Sequence, residues 1–208
     1  MNHEPLVDLK PYFLTLHDLT GPIDWREFFG NDHPVEIDVG CGRGLFLLTA
    51  GLANPDVNYL GLEIEYKEGR HGARRIQKRS MPNVRIIGGD AKVALDKFIP
   101  RASVSAVHVY FPDPWWKRRH RRRRIFTDEL VAQIEAVLIP GGLLHSWTDV
   151  VEYFQVIEAL MDLAPGFTIR PAPAVRTPEN DLDYQTSFER KKRKLGCPIY
   201  RGLWQKKR

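Results

Sequence analysis

Four acids stand where apolar runs give way to loops. Asp38 lies in VEIDV and is followed by Gly40, Gly42 and Gly44 of VGCGRG; Glu63 lies in LGLE, Asp90 in GGDA and Asp113 in FPDPWW. A glycine-rich turn directly after a strand lets the backbone bend tightly and approach a ligand while the next helix begins. An acid roughly 20 residues further on, at the end of the next strand, is placed to hydrogen-bond ribose hydroxyls, and Glu63 holds that position. Asp38 beside the loop suits an ammonium group and repels a pyrophosphate. Asp90 can accept a hydrogen bond from an adenine amine. A nucleoside with a cationic amino-acid tail satisfies all three, which favours S-adenosylmethionine over NAD. A dinucleotide dehydrogenase is the rival reading. It needs phosphate contacts at the loop and a His or Lys acid–base, and no such residue is evident.

The fourth acid begins a denser stretch, FPDPWWKRRHRRRR, from Phe111 to Arg124. Pro112 and Pro114 fix φ on either side of Asp113 and hold it in a rigid loop. Trp115 and Trp116 offer flat surfaces for stacking on a base, or for packing under the loop. Lys117 to Arg124 carry seven positive charges and turn a slightly acidic remainder into a chain of net charge +5. Further cationic runs lie at Arg190–Lys194 and Lys206–Arg208. Clustered Lys and Arg are the electrostatic footprint of a nucleic-acid binder.

These residues need a scaffold, and the hydrophobic pattern supplies one. Val35–Val39, Tyr59–Ile64, Val84–Ile87, Val104–Phe111 and Leu143–Trp147 read as strands. Residues 45–53, 66–80, 91–98, 127–138 and 150–163 have helical spacing, with Thr127 as an N-cap before Asp128 and Glu129. Strands alternating with helices imply a mostly parallel, doubly wound α/β sheet with helices on both faces. Ligands of such sheets sit outside the carboxyl ends of the strands, where the four acids lie. Phe167–Arg170 and Tyr200–Trp204 read as two last strands in an antiparallel hairpin, joined by a polar, basic connection. Residues 1–32, with Pro5, Pro11, Gly21 and Pro22, read as an arm of low order containing a short helix at Trp25–Phe29.

At 208 residues, 43% hydrophobic and 27% charged, the chain suits one globular domain. No apolar run approaches the roughly 20 residues that span a bilayer. The first residues lack the basic start and apolar core of a signal peptide. Cys41 and Cys197 form no CxxC pair or disulfide framework, which fits a reducing cytoplasm, and the seven histidines lack metal-site spacing.

From about residue 33 to the end the chain resembles the bacterial tRNA (guanine-N7)-methyltransferases. The likeness is carried by DVGCGRG, LGLEI, GGDA, FPDPWWKRRHRRRR, WTD at Trp147–Asp149 and TSFERKKRKLG from Thr186 to Gly196. It implies a Rossmann-like class I methyltransferase fold: a seven-stranded sheet ending in the antiparallel hairpin, over residues 33–208. It implies that S-adenosylmethionine is the methyl donor and tRNA the acceptor, conventionally at guanine 46 of the variable loop. It further implies that Asp38, Gly40, Gly42, Gly44, Glu63, Asp90 and Asp113 hold the cofactor and that Asp113 is also catalytic. Lys117, Asp149, Thr186, Ser187, Phe188 and Glu189 match the substrate-binding positions. Arg119, His120, Arg121, Arg122, Arg123 and Arg124 match the RNA-contacting stretch. The bacterial motif often has glutamate where this chain has Asp38, which keeps the charge on a side chain one methylene shorter. The state of assembly is left open between monomer and homodimer. A methyltransferase acting on another RNA or on a protein, and a non-catalytic RNA-binding protein, are the other readings.

Overall fold

The computed structural model describes residues 8–115, 124–172 and 186–208. The strands are β1 (Phe13–Thr15), β2 (Val35–Val39), β3 (Asn58–Glu63), β4 (Val84–Gly88), β5 (Val104–Tyr110), β6 (Leu138–Thr148), β7 (Phe167–Arg170) and β8 (Tyr200–Lys206). The helices are α1 (Trp25–Phe29), α2 (Leu45–Ala53), α3 (Tyr66–Gln77), α4 (Ala91–Lys97), α5 (Asp128–Val137), α6 (Val151–Asp162) and α7 (Ser187–Lys194). One sheet runs in the order β1-β4-β3-β2-β5-β6-β8-β7. The first six positions pair parallel, and β8 runs antiparallel between β6 and β7.

Alternation along the strands sorts the side chains into two layers. Ile37 and Val39 of β2, Leu60 and Leu62 of β3, and Val107 and Val109 of β5 join Phe29, Leu95, Ile134 and Ile157 from α1, α4, α5 and α6. The opposite layer gathers Phe46, Leu47 and Leu48 of α2 with Ala73 and Ile76 of α3, over Tyr59, Val84 and Ile86. Glycine lets the second layer close. A Cβ at Gly61 would stand 2.5 Å from Leu47 Cδ1 and 2.6 Å from Cys41 Sγ.

The architecture has helices on both faces and the antiparallel ending, as the pattern implies, but eight strands among the described residues instead of seven. The added strand corrects, for the described residues 8–32, the reading of this stretch as a poorly ordered arm. β1 pairs in register with β4, Phe13 opposite Ile86, and Leu9, Phe13, Ile23 and Phe29 are all buried. A three-residue strand after Pro11 is too short to show a period, so local pattern cannot reveal it. It forms because Phe13 fills the edge of the second layer, against the Tyr66 ring at 6.4 Å and under the Arg70 guanidinium at 5.7 Å. Replacing Phe13 by Ala is expected to lower unfolding free energy by about 3 kcal/mol. A urea titration checks this; an unchanged midpoint would mean that residues 8–15 are not docked on the sheet.

Candidate active site

The loop after β2 takes its shape from three glycines in the left-handed region, Gly40 (φ 78°), Gly42 (φ 52°) and Gly44 (φ 64°). Side chains there would be strained by the backbone and not by neighbours at the first two. A Cβ on Gly40 or Gly42 meets nothing within 4 Å, so the outer surface of the loop is open to a ligand. Its inner surface is fastened. Gly40 N–H donates to Leu62 O at 2.8 Å, and Gly42 N–H donates to Glu63 Oε2 at 2.7 Å. The other oxygen of Glu63 accepts from Glu65 N–H at 2.8 Å. Each carboxylate oxygen has a second lone pair, so Glu63 keeps capacity for a ribose hydroxyl.

Asp38 lies on β2 beside this loop and is 4% exposed. Burial, reinforced by the neighbouring Glu63 charge, pushes its carboxyl up to about 8. A buried acid of this kind calls for a cationic partner, and the ammonium of an amino-acid tail supplies one. Asp90 is exposed at the end of β4 and N-caps α4, accepting from Lys92 N–H at 2.9 Å. Leu16 crosses close to the preceding glycine: a Cβ on Gly89 would stand 2.5 Å from Leu16 Cδ1. The N-terminal segment therefore walls the Asp90 side of the crevice, a contribution that the sequence reading did not give it.

Asp113 is exposed on the loop leaving β5, between two non-glycine residues with positive φ, Phe111 (51°) and Trp115 (40°). Such conformations cost about 1–3 kcal/mol each and persist only where surrounding contacts enforce them. Those contacts are visible. Phe111 N–H donates to Trp147 O at 2.7 Å, and the Phe111 ring stacks on Phe188 at 6.2 Å and 20°. Arg124 Nε donates to Pro114 O at 2.7 Å while its guanidinium lies over the Tyr153 ring. Arg124 thus holds the base of the loop, in addition to any contact it makes with RNA. Trp115 is half-buried. Trp116, Lys117, Arg119, His120, Arg121, Arg122 and Arg123 lie outside the described residues.

Helix α7 brings the remaining expected residues to the same end of the sheet. Thr186 N-caps it, accepting from Glu189 N–H at 2.9 Å. Ser187 is its first residue, and Phe188 reaches the Phe111 ring. Glu189 is buried and paired with Arg193 one turn on, at 2.7 Å. Asp149, just beyond β6, pairs with Lys192 at 2.6 Å. The sequence reading took this stretch as a polar connection and missed both ion pairs. The signal was present: Thr186-x-x-Glu189 is a capping-box pattern, and Glu189 to Arg193 is an i,i+4 pair.

The family model described as "Putative methyltransferase" matches residues 32–202. The tRNA (guanine-N(7)-)-methyltransferase of Rhodopirellula baltica is 41% identical over 98% of this chain and 77% of that protein. The enzyme of the same name from Geobacter metallireducens is 36% identical over 79% and 78%. The chain belongs to the tRNA (guanine-N7)-methyltransferase family. Its fold also matches the 16S rRNA methyltransferase KamB, at TM-score 0.64 and 16% identity over 88% of this chain and 92% of that one. TrmN from Thermus thermophilus aligns at TM-score 0.58 and 18% identity over 84% and 45%. The glycine loop, Asp38, Glu63 and Asp90 lie at the carboxyl ends of the neighbouring parallel strands β2, β3 and β4, and Asp113 follows β5.

The raised Asp38 has a consequence for the free protein. Its folded pKa, about 8, lies above the ordinary 3.8, so between those values the folded chain holds a proton that the unfolded chain has lost. Stability is then expected to fall as pH rises through this window, and Asp38→Asn should remove that part of the slope. Urea unfolding at several pH values checks it; identical slopes in the two proteins would exclude Asp38 as the source.

Proposed function

We propose that this protein transfers a methyl group from S-adenosylmethionine to N7 of a guanine in tRNA, at position 46 of the variable loop. The observation that carries the reading is the convergence of four acids and an open glycine loop at one crevice. The α7 residues docked beside Asp113 add to it. Membership in the family supports the choice of acceptor. S-adenosylmethionine supplies an electrophilic methyl on a sulfonium.

The chain's own residues have a limited task. Guanine N7 carries a lone pair in the neutral base, so its attack needs no proton removed. What it needs is alignment with the methyl–sulfur bond, which is an orientation effect. Asp38 holds the ammonium of the cofactor tail, Glu63 the ribose and Asp90 the adenine amine. The purine becomes cationic as the bond forms. Asp113, presented on its strained loop, stabilises that charge or fixes the N1–H and N2–H₂ edge so that N7 points at the methyl. Asp149 and Glu189 are further acceptors for that edge. Both are held by α7 cations in the free protein, Lys192 and Arg193. RNA phosphates drawing those cations away would release the carboxylates to the base. The guanine must leave its stack to reach this point. Arg119 to Arg124 serve the phosphates around it.

The test is methyl transfer from labelled S-adenosylmethionine to unmodified tRNA, followed by reduction and aniline cleavage at 7-methylguanine. One cut at variable-loop guanine 46 is expected. Cuts elsewhere, or none, would remove the reading. Asp113→Ala should lower turnover by roughly 100-fold, with tRNA affinity changed by less than about twofold. Full turnover in that variant would take Asp113 out of the chemistry.

A further inference from the structure

The charge on α3 has no part in the site described so far. From Tyr66 to Ser80 the chain carries Lys67, Arg70, Arg74, Arg75, Lys78 and Arg79 against one acid, Glu68. Glu68 already has a partner: it pairs with Arg43 of the glycine loop at 2.6 Å. Arg75, Lys78 and Arg79 are three and four positions apart, so they share one side of the helix end. Their orientation is held by backbone. Arg75 Nη1 donates to Arg43 O at 2.9 Å, and Arg79 Nη1 donates to Arg75 O at 3.1 Å. Gly72 lets α3 press on the loop, since a Cβ there would stand 3.1 Å from the Arg43 carbonyl carbon. The row of guanidinium groups therefore starts at the cofactor loop itself.

A second element joins it. Arg190, next to Glu189 on α7, lies within electrostatic reach of Arg75. Burial first, then Arg79, Arg190 and Arg43, hold the Arg75 guanidinium below its ordinary range. Among the described residues, the charges that act on it most are these cations. Like charges gathered this way disfavour the free chain and are relieved by a bound polyanion.

We propose that Arg75, Lys78 and Arg79 form a ridge that binds the phosphate backbone of the substrate RNA, on the opposite side of β2 from the Asp113 loop. The proposal rests on the tRNA reading above and gives it a second contact surface. The sheet order supports the placement. Strands β3 and β4, with α3, lie on one side of β2, and β5 with the Asp113 loop lies on the other. A nucleotide drawn into the crevice has flanking phosphates on both sides, and contacts to them position it without reading sequence.

The exposed pair Lys78→Glu with Arg79→Glu tests the ridge, with Arg75→Gln as a second variant and Arg26→Glu in α1 as control. Binding of unmodified tRNA is measured by anisotropy between about 50 and 200 mM salt. The double variant should bind at least tenfold more weakly, its log–log salt slope should be shallower by about 2, and the loss should appear in KM for tRNA. The control should match wild type, and calorimetric affinity for S-adenosylmethionine should be the same in wild type, the double variant and the control. Wild-type tRNA affinity and slope in the double variant would overturn the proposal. So would ridge-dependent binding to phosphatidylserine vesicles with tRNA binding intact. Failure of the methylation reading looks different: wild-type protein would bind tRNA through the ridge and transfer no methyl.

Discussion

The Glu63 carboxylate ties three segments together. It ends β3, holds the glycine loop through Gly42 N–H, and starts the turn into α3 through Glu65 N–H. Charge-assisted bonds to backbone N–H groups are among the stronger ones available to a folded chain. They also place a negative charge beside Asp38, which adds to the larger effect of burial in raising that carboxyl. The loop thus has its shape in the free protein, with Glu63 used for its geometry and Asp38 buried beside it. Close approach of the loop to α2, β3 and α3 then depends on Gly61 and Gly72, where any side chain would intrude.

The other half of the site is held by a different device. Phe111 and Trp115 take backbone conformations that their side chains disfavour, and the Asp113 loop is kept there by contacts from three separate elements. These are the Trp147 carbonyl of β6, the Phe188 ring of α7, and Arg124 before α5. Helix α7 packs on this loop through Phe188, carries Glu189, and pairs with Asp149 beyond β6 through Lys192. Two cations of the same helix hold acids beside it: Lys192 pairs with Asp149 and Arg193 with Glu189.

Much of this was legible in the sequence because it depends on short-range pattern. α2 spans residues 45–53 as its apolar spacing implies, and the short helix expected at Trp25–Phe29 is α1; β2 and β7 also keep their expected limits. The four acids were legible because strand ends in an open sheet all face one crevice. What escaped depends on partners distant in sequence. β1 is three residues long and exists through β4. β6 begins at Leu138, ahead of Pro140, Gly141 and Gly142, because Leu138 pairs with Val104 of β5. Those residues look like a turn in isolation. The ion pairs of Asp149 and Glu189 were hidden for another reason. A run of five basic residues at 190–194 reads as one cationic patch until the helix shows that Lys192 and Arg193 pair with acids.

The central claim is that Glu63 builds the cofactor loop before any ligand arrives. Amide hydrogen exchange at Gly42 in the free protein tests it most directly. Its N–H donates to a buried carboxylate at 2.7 Å, so it should exchange far more slowly than an open glycine-loop amide and lose that protection in Glu63→Gln. Exchange at the unprotected rate in the wild-type protein would mean that the loop forms only with its ligand, and the preformed loop would have to be given up.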